Sequence, residues 1–384
     1  MKTVRFGVIG GGLMGREFAS ASARWLHLLD CDFKPEIVAV CDTDPGRAGW
    51  FRDRLVPAPG IHSDYRELLA RADVDAVYCA VPHDLHQRMY IDTLKAGKHL
   101  FGEKPFGIDL AANEAIVAEA RRHPELVVRC SSEFPFFPGA LRVIEAVRSG
   151  RLGRIIEVRA AFLHSSDLDP NKPINWKRMI DKNGEYGVMG DLGMHVLHVP
   201  IRLGWVPQSV SAILSNVVTA RPDGRGGVVP CETWDNAMIT ARSEQGFPML
   251  LEVKRIAPGE MDTWTLEVLG TSGCARFSTK HPRSFWYLDY EPGGPQAWST
   301  VDVGYKSVYP TITGEIFEFG FTDAILQMWA AYCDEVVNGP AMRGSFPCAG
   351  LEETALHHAI LTAALESERT GAAVVPKAVA AAVG

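Results

Sequence analysis

An apolar run, Val4–Ile9, ends in Gly10-Gly11-Gly12-Leu13-Met14-Gly15 and passes straight into a helical stretch. Glycines at the first, third and sixth positions of such a turn meet three separate needs. They permit a tight reversal, close approach of the backbone to a pyrophosphate, and contact between the helix and the strand before it. Asp42 closes the second β-branched run, Glu36–Cys41, where a carboxylate can hold two ribose hydroxyls and repel a 2′-phosphate. These positions predict an NAD site on Gly10, Gly12, Leu13, Met14, Gly15 and Asp42. Arg47 could soften the preference against a 2′-phosphate, and reads as a solvated helix residue.

The first third of the chain repeats this rhythm. Runs at Val4–Ile9, Glu36–Cys41, Ala76–Ala80, His99–Gly102 and Leu126–Cys130 alternate with helical stretches, and Asp44-Pro45, Ser63-Asp64 and Asp109 supply helix starts. Alternation of this kind predicts a parallel sheet. Open parallel sheets bind ligands beyond the carboxyl ends of their strands. Those ends carry Val81-Pro82-His83, Glu103-Lys104-Pro105 and Ser131-Ser132-Glu133, so Pro82, His83, His86, Glu103 and Lys104 join the cofactor set. His83 and His86 are also spaced like a ligand pair, and read as a helix cap and a packing residue.

After about residue 130 the pattern changes. A helix, Pro138–Ser149, leads into a strand, Ile155–Phe162, and then into closely spaced runs at Ser209–Thr219, Trp234–Arg242, Met249–Ile256, Trp264–Leu269 and Phe285–Tyr290. Such spacing predicts a mainly antiparallel sheet. Two late helices fall near Asp323–Val337 and Leu351–Thr370. The expected fold is α/β: a Rossmann domain over residues 1–130, and an α/β domain with an open, mainly antiparallel sheet over 131–384 that binds substrate and builds an oligomer. The broken stretch Glu291–Phe319, which includes Trp298 and Tyr305, is expected to pack on a subunit or over the site.

Composition narrows the function classes. A chain of 384 residues that is 47% hydrophobic and 22% charged can bury a large core. Its net charge of −7 supplies no field toward phosphate backbones or acidic lipid, so nucleic acid and membrane are not expected partners. Eight cysteines without a CxxC pair, and an amino-terminal apolar run too short for a signal peptide, point to a reduced, cytoplasmic protein.

Three segments carry reactive groups. Pro105 restricts Lys104 to an extended conformation that can aim its ammonium across the crevice; beside a cationic nicotinamide its pKa falls, which suits proton transfer, and a solvated loop lysine is the alternative. In Gly187-Val188-Met189-Gly190-Asp191-Leu192-Gly193-Met194-His195-Val196-Leu197-His198, residues 191 and 195 share one helix face and His198 follows on nearly the same face. Three glycines there cost about 1 kcal/mol each relative to alanine, so something must require close approach of the backbone. A carboxylate beside an imidazole suits proton abstraction from a hydroxyl, with His195 as base and Asp191 orienting it or holding substrate. A core-packed helix and a metal site on Asp191, His195 and His198 are the competing readings, and no metal is expected. Finally, Asn175, Trp176, Lys177 and Arg178 offer hydrogen bonds, a stacking face and cations suited to a polar or anionic sugar; a solvated basic loop is the alternative. His164 and Tyr186 are lesser pocket candidates.

The order GxGxxG, strand-end Asp42, the Val81-Pro82-His83-Asp84-Leu85-His86 turn, Ala96-Gly97-Lys98-His99-Leu100-Phe101-Gly102-Glu103-Lys104-Pro105 and then a glycine-rich DxGxH resembles the Gfo/Idh/MocA family along essentially the whole chain. Phe136-Phe137-Pro138 with Gly150 and Gly153 matches that family's entry into its second domain. The resemblance implies a nicotinamide-dependent oxidoreductase of sugars or cyclitols, assembled as a homodimer or homotetramer. It puts Lys104, Asp191 and His195 on the family's catalytic lysine, aspartate and histidine; beside these, the residue types themselves place Asn175, Trp176, Lys177, Arg178 and His198 in the expected substrate set. The chain departs from the pattern at His198, where the family often has a further aspartate, and at Pro135, where it commonly has arginine. Two reactions are implied: net oxidation or reduction of a sugar hydroxyl carbon, or an NAD-dependent glycosidase that oxidises C3 transiently, eliminates the aglycone, adds water and reduces the ketone again. A non-catalytic nucleotide sensor is the third reading, and it would lack the proton-transfer residues that are present here.

Overall fold

Strands buried on both faces need continuous apolar runs rather than alternating ones. The amino-terminal runs supply them. In the computed structural model, which describes every residue except 304–305, 315, 345 and 378–384, they form β1 (Lys2–Ile9), β2 (Phe33–Cys41), β4 (Ala76–Cys79), β5 (His99–Gly102) and β6 (Val128–Cys130), and a short partly exposed strand, β3 (Gly60–His62), joins them at one edge. Tyr305 therefore lies outside the described residues. The six strands are all parallel in the order β3-β2-β1-β4-β5-β6, the doubly wound arrangement.

The chain divides into two compact units. The first holds this sheet through Phe136, and the residues between Val303 and Glu352 return to it. That return corrects the sequence-based division at 130/131, which assigned everything after it to the second domain. Its cause is aromatic packing by the helix Phe321–Asn338. Trp329 stacks on Phe18 with ring centroids 3.6 Å apart and meets Phe6, Tyr78 and Phe101 edge-on, while Tyr332 stacks on Phe101 at 4.5 Å. These rings are all fully buried, and each large aromatic removes on the order of 150–250 Å² from water. Part of the broken stretch Glu291–Phe319 follows the helix into this unit. Leu29 N–H donates to the Pro310 carbonyl at 2.7 Å, and Ile312 N–H donates to His27 at 3.0 Å.

The second unit is built on an eight-stranded sheet. Its strands are β7 (Ile155–Leu163), β8 (Pro207–Ser215), β11 (Asn236–Ser243), β12 (Pro248–Lys254), β13 (Thr263–Gly270), β14 (Gly273–Ser278), β15 (Ser284–Asp289) and β16 (Ser299–Asp302); a separate ribbon pairs β9 (Ala220–Pro222) with β10 (Val228–Pro230). The order is β16-β15-β14-β13-β7-β12-β11-β8, antiparallel throughout except where β7 and β12 run parallel. Helices Pro138–Arg148 and Met194–Arg202 cover one face. A Cβ on Gly139 would stand 2.1 Å from the Phe277 ring, so the helix seats there only with glycine. On the other face, strand β11 alternates buried and exposed residues and leaves Met238 49% exposed. Residues Glu352 to Lys377 belong to this unit.

Candidate functional site

The glycine turn of the first unit fits a pyrophosphate. Gly10 sits at φ +101°, and a Cβ there would lie 2.2 Å from the Ala80 carbonyl; a Cβ on Gly15 would lie 2.3 Å from the Gly10 carbonyl. Gly12, the N-cap of the helix Leu13–Ala23, has nothing within 4 Å of where its Cβ would stand, and this leaves the helix N-terminus open to an anion. The Asp42 carboxylate accepts from Gly11 N–H and Asp44 N–H, both at 2.8 Å. Thus Asp42 braces the turn as well as presenting its charge at the end of β2. Replacing Gly10 by alanine forces an L residue into the left-handed region at about 1–2 kcal/mol before any clash is counted. Gly10→Ala is expected to weaken NADH binding by about tenfold or more in a fluorescence titration.

Beyond β5 the backbone on both sides of Lys104 is pinned. The Tyr78 hydroxyl donates to Glu103 Oε1 at 2.6 Å, and the Tyr90 hydroxyl to the Glu103 carbonyl at 2.7 Å. The His86 ring faces the Pro105 carbonyl at 2.7 Å and the Val81 carbonyl at 2.9 Å, and stacks on Tyr90. Glu103 and His86 are therefore buried anchors of the turn. Lys104 is only half-buried. His83 begins the short turn His83–Leu85 rather than capping it, and Pro82 holds the cap position.

In the second unit the DxGxH segment forms a π-helical turn, Met189–Gly193, that runs into the helix Met194–Arg202. Single π turns of this kind concentrate at functional sites. The glycines are explained by contact: a Cβ on Gly187, at φ +56°, would lie 2.7 Å from the Trp234 backbone, and one on Gly193 would lie 3.2 Å from Leu361. Asp191 is 1% exposed, and its carboxylate lies between two cations. Lys177 Nζ is 3.1 and 3.2 Å from the two oxygens, and the Arg255 guanidinium pairs with Oδ2. Arg255 in turn approaches Asp167 at 3.9 Å, and Asp167 takes Lys172 at 3.2 Å. Burial lowers the Arg255 pKa to about 10 despite the Asp167 charge, so the guanidinium remains charged near neutral pH. The His195 carbonyl accepts from Trp264 Nε1 at 2.9 Å, and the His195 ring meets Phe162 edge-on.

Arg255 and Asp167 escaped the sequence reading. A lone guanidinium closing the apolar run Met249–Ile256 was the available signal. The loop Asn175–Arg178 divides. Trp176 and Lys177 stay half-exposed, with Lys177 Nζ 5.6 Å from the Trp176 ring centre. Asn175 Oδ1 accepts from Lys177 N–H at 2.9 Å as a turn cap. Arg178 is a correction: it is fully buried against Asp235 and donates to the Val218 carbonyl at 3.2 Å, so it holds the fold rather than a sugar. Tyr186 likewise faces Thr362 at 2.6 Å, and His164 lies 3.5 Å from Asp262.

His198 is a further correction. It lies 2.7 Å from Glu353 with no exposed side-chain surface, so neither the substrate role nor a metal set with Asp191 and His195 is formed. Three residues along an α-helix amount to about 300°, roughly 60° off the face of His195. Nearby His357 is held neutral: burial pushes its pKa down to about 3, against the opposing pull of Glu353. Its folded pKa lies below the unfolded value, so the unfolded state binds the extra proton between about pH 6.5 and 3, and stability falls as pH falls through that window. Each pH unit costs about 1.4 kcal/mol for this one group. The thermal midpoint is expected to drop steadily from pH 6.5 to 5.

The amino-terminal unit matches the family described as oxidoreductase family, NAD-binding Rossmann fold, over residues 4–129, and residues 140–276 match the GFO/IDH/MocA C-terminal domain. NAD is the cofactor of this domain, and its glycine turn has the shape such a cofactor requires. A levoglucosan dehydrogenase from Pseudarthrobacter phenanthrenivorans is 26% identical over 292 residues, spanning 72% of this chain and 74% of that protein. An alpha-N-acetylgalactosaminidase from Shewanella oneidensis is 30% identical over 172 residues, 43% of this chain and 36% of that one. Among solved structures, levoglucosan dehydrogenase in complex with NADH and levoglucosan superposes with a TM-score of 0.88 at 23% identity, covering 98% of this chain and 100% of that chain. An inositol dehydrogenase homolog complexed with NAD+ from Azotobacter vinelandii gives 0.79 at 20%, covering 97% of each. At these identities the structural likeness is one of fold. Among the described residues no helix is long and apolar enough to cross a membrane.

Proposed function

We propose, from the premise that this chain belongs to the Gfo/Idh/MocA oxidoreductase family, that it exchanges hydride between NAD and a hydroxyl-bearing carbon of a polar or anionic sugar. The observation that carries the reading is the Asp191 carboxylate, buried and held by Lys177 and Arg255 one helical turn before His195. A carboxylate so held stays ionised and acceptor-only, suited to sugar hydroxyls. NAD, when bound, supplies the hydride acceptor. The chain's residues supply the rest: Gly10, Gly12, Leu13, Met14, Gly15 and Asp42 bind and orient the cofactor, with Pro82 and His83 at the next strand end. Lys104 and His195 are the proton-handling residues, and Asp191 positions the sugar. Trp176 offers a stacking face and Lys177 a cation for an anionic substituent.

The glycosidase reading keeps the same residues and is favoured by the alpha-N-acetylgalactosaminidase relative, of which this chain matches about a third. Incubating the protein with NAD and neutral and anionic sugars and aryl glycosides separates the two. NADH accumulating with a ketone product supports the dehydrogenase. Aglycone release that needs NAD without net NADH replaces it with the glycosidase. We further place the protein in the cytoplasm as a homodimer or homotetramer. All eight cysteines are thiols outside any disulfide, and the exposed sheet face around Met238 and Leu250 calls for a covering subunit.

A further inference from the structure

The proposed redox chemistry leaves one buried cluster of titratable groups in the second unit unused. His198 lies on the helix Met194–Arg202, and Glu353 and His357 lie one turn apart on the helix Leu351–Thr370. One ligand atom from each falls within 4.8 Å of the others. We propose that His198, Glu353 and His357 form a binding site for one divalent transition-metal ion of the zinc type, tying the two helices together.

Two imidazoles and one carboxylate are a three-ligand set that zinc accepts, with a fourth position left for water; calcium and magnesium instead demand oxygen cages. Ligand atoms around a tetrahedral zinc stand about 3.3 Å apart, so separations within 4.8 Å call for an adjustment of up to about 1.5 Å by side-chain rotation. Outer partners are in place as well. Arg202 Nε donates to Glu353 Oε2 at 2.9 Å and orients the carboxylate, while the Leu197 carbonyl lies beside the His357 ring. Among the described residues neither ring nitrogen of His357 makes a hydrogen bond of full geometry, although the residue is 1% exposed. A buried imidazole normally has such a partner, and a metal ion supplies it.

The protonation states agree with this placement. Burial lowers the pKa of both imidazoles, leaving their lone pairs available near neutral pH. Burial alone would raise the Glu353 carboxyl, yet His198 and Arg202 beside it hold it well below its ordinary range, so it is an anion. These are the forms that metal binding requires. The Arg202 charge opposes a cation, which sets the affinity below that of an all-anionic cage.

The test uses the full chain, stripped with a chelator, reloaded with a small excess of zinc and desalted. Elemental analysis is expected to find about one zinc per chain in the unsubstituted protein, almost none in His357→Gln, and a thermal midpoint raised by zinc only in the former. A parental circular-dichroism spectrum and a cooperative melting transition report that His357→Gln is folded. Should it fail to fold, cobalt in the unsubstituted protein decides: the intense visible band of a four-coordinate site supports the proposal, and the pale six-coordinate spectrum overturns it. No retained zinc, or equal retention in a folded His357→Gln, also overturns it. The readouts are metal content and melting, so they are independent of whether any sugar is turned over.

Discussion

Lys104→Ala is expected to lower kcat by about 10²–10⁴-fold, the usual worth of a positioned proton-transfer group, while NADH affinity stays within a few-fold. The expectation rests on how the turn is held. Glu103 is fixed by the hydroxyls of Tyr78 and Tyr90, and Pro105 by His86, so the backbone path through residue 104 does not depend on the lysine side chain. Truncation removes the ammonium and leaves its frame. The thermal midpoint should therefore remain near that of the parent, and stopped-flow measurement of NADH should locate the loss in the chemical step. Full activity in this variant would remove Lys104 from the proton path.

The second large effect is in the substrate unit. Arg255→Met keeps the length of the side chain and deletes its charge, leaving Asp191 and Asp167, each 1% exposed, with Lys177 and Lys172 as their remaining cations. Removing one member of a buried ion pair costs about 3–5 kcal/mol. At roughly 2–4 °C per kcal/mol for a unit of this size, the thermal midpoint should fall by about 6–20 °C. Activity should fall with it below the melting range, because Asp191 loses the guanidinium that fixes its orientation. Arg255→Lys restores a charge without the planar fork and should recover stability more than turnover. An Arg255→Met protein that melts and turns over like the parent would show that the pairing holds nothing in place.

Much of the first unit was legible because a parallel sheet writes itself as unbroken apolar runs, each stopped by glycine or a polar turn. The run His99–Gly102 matches its strand residue for residue. Gly60–His62 was missed because three residues with no apolar run carry no periodicity. In the second unit, Gly273–Ser278 was missed because its inward positions are Gly273, Ala275 and Phe277, two of them too small to mark a buried face. The return of the helix Phe321–Asn338 to the first unit depends on where Trp329 finds partners, and the linear order of residues does not show that.

The same divide runs through the candidate site. Lys104, Asp191 and the glycine turn belong to local motifs, whose spacing is visible in the chain. Arg255 and Asp167 reach Asp191 only through tertiary structure. Adjacent residues also part company: Lys177 turns to Asp191 while Arg178, next in the same short turn, is buried against Asp235. Charge and position alone could not tell those two apart, since a single residue step in such a turn rotates the side chain by about a third of a revolution.

Hydride transfer between a sugar carbon and NAD is tested most directly by isotope. The protein, given NAD and the panel sugar that turns over, deuterated at every carbon-bound position, should yield NADH one mass unit heavier than that formed from the unlabelled sugar. The Lys104→Ala variant should form it far more slowly with the same label. NADH free of deuterium, or no labelled NADH with any sugar of the panel, would contradict the account.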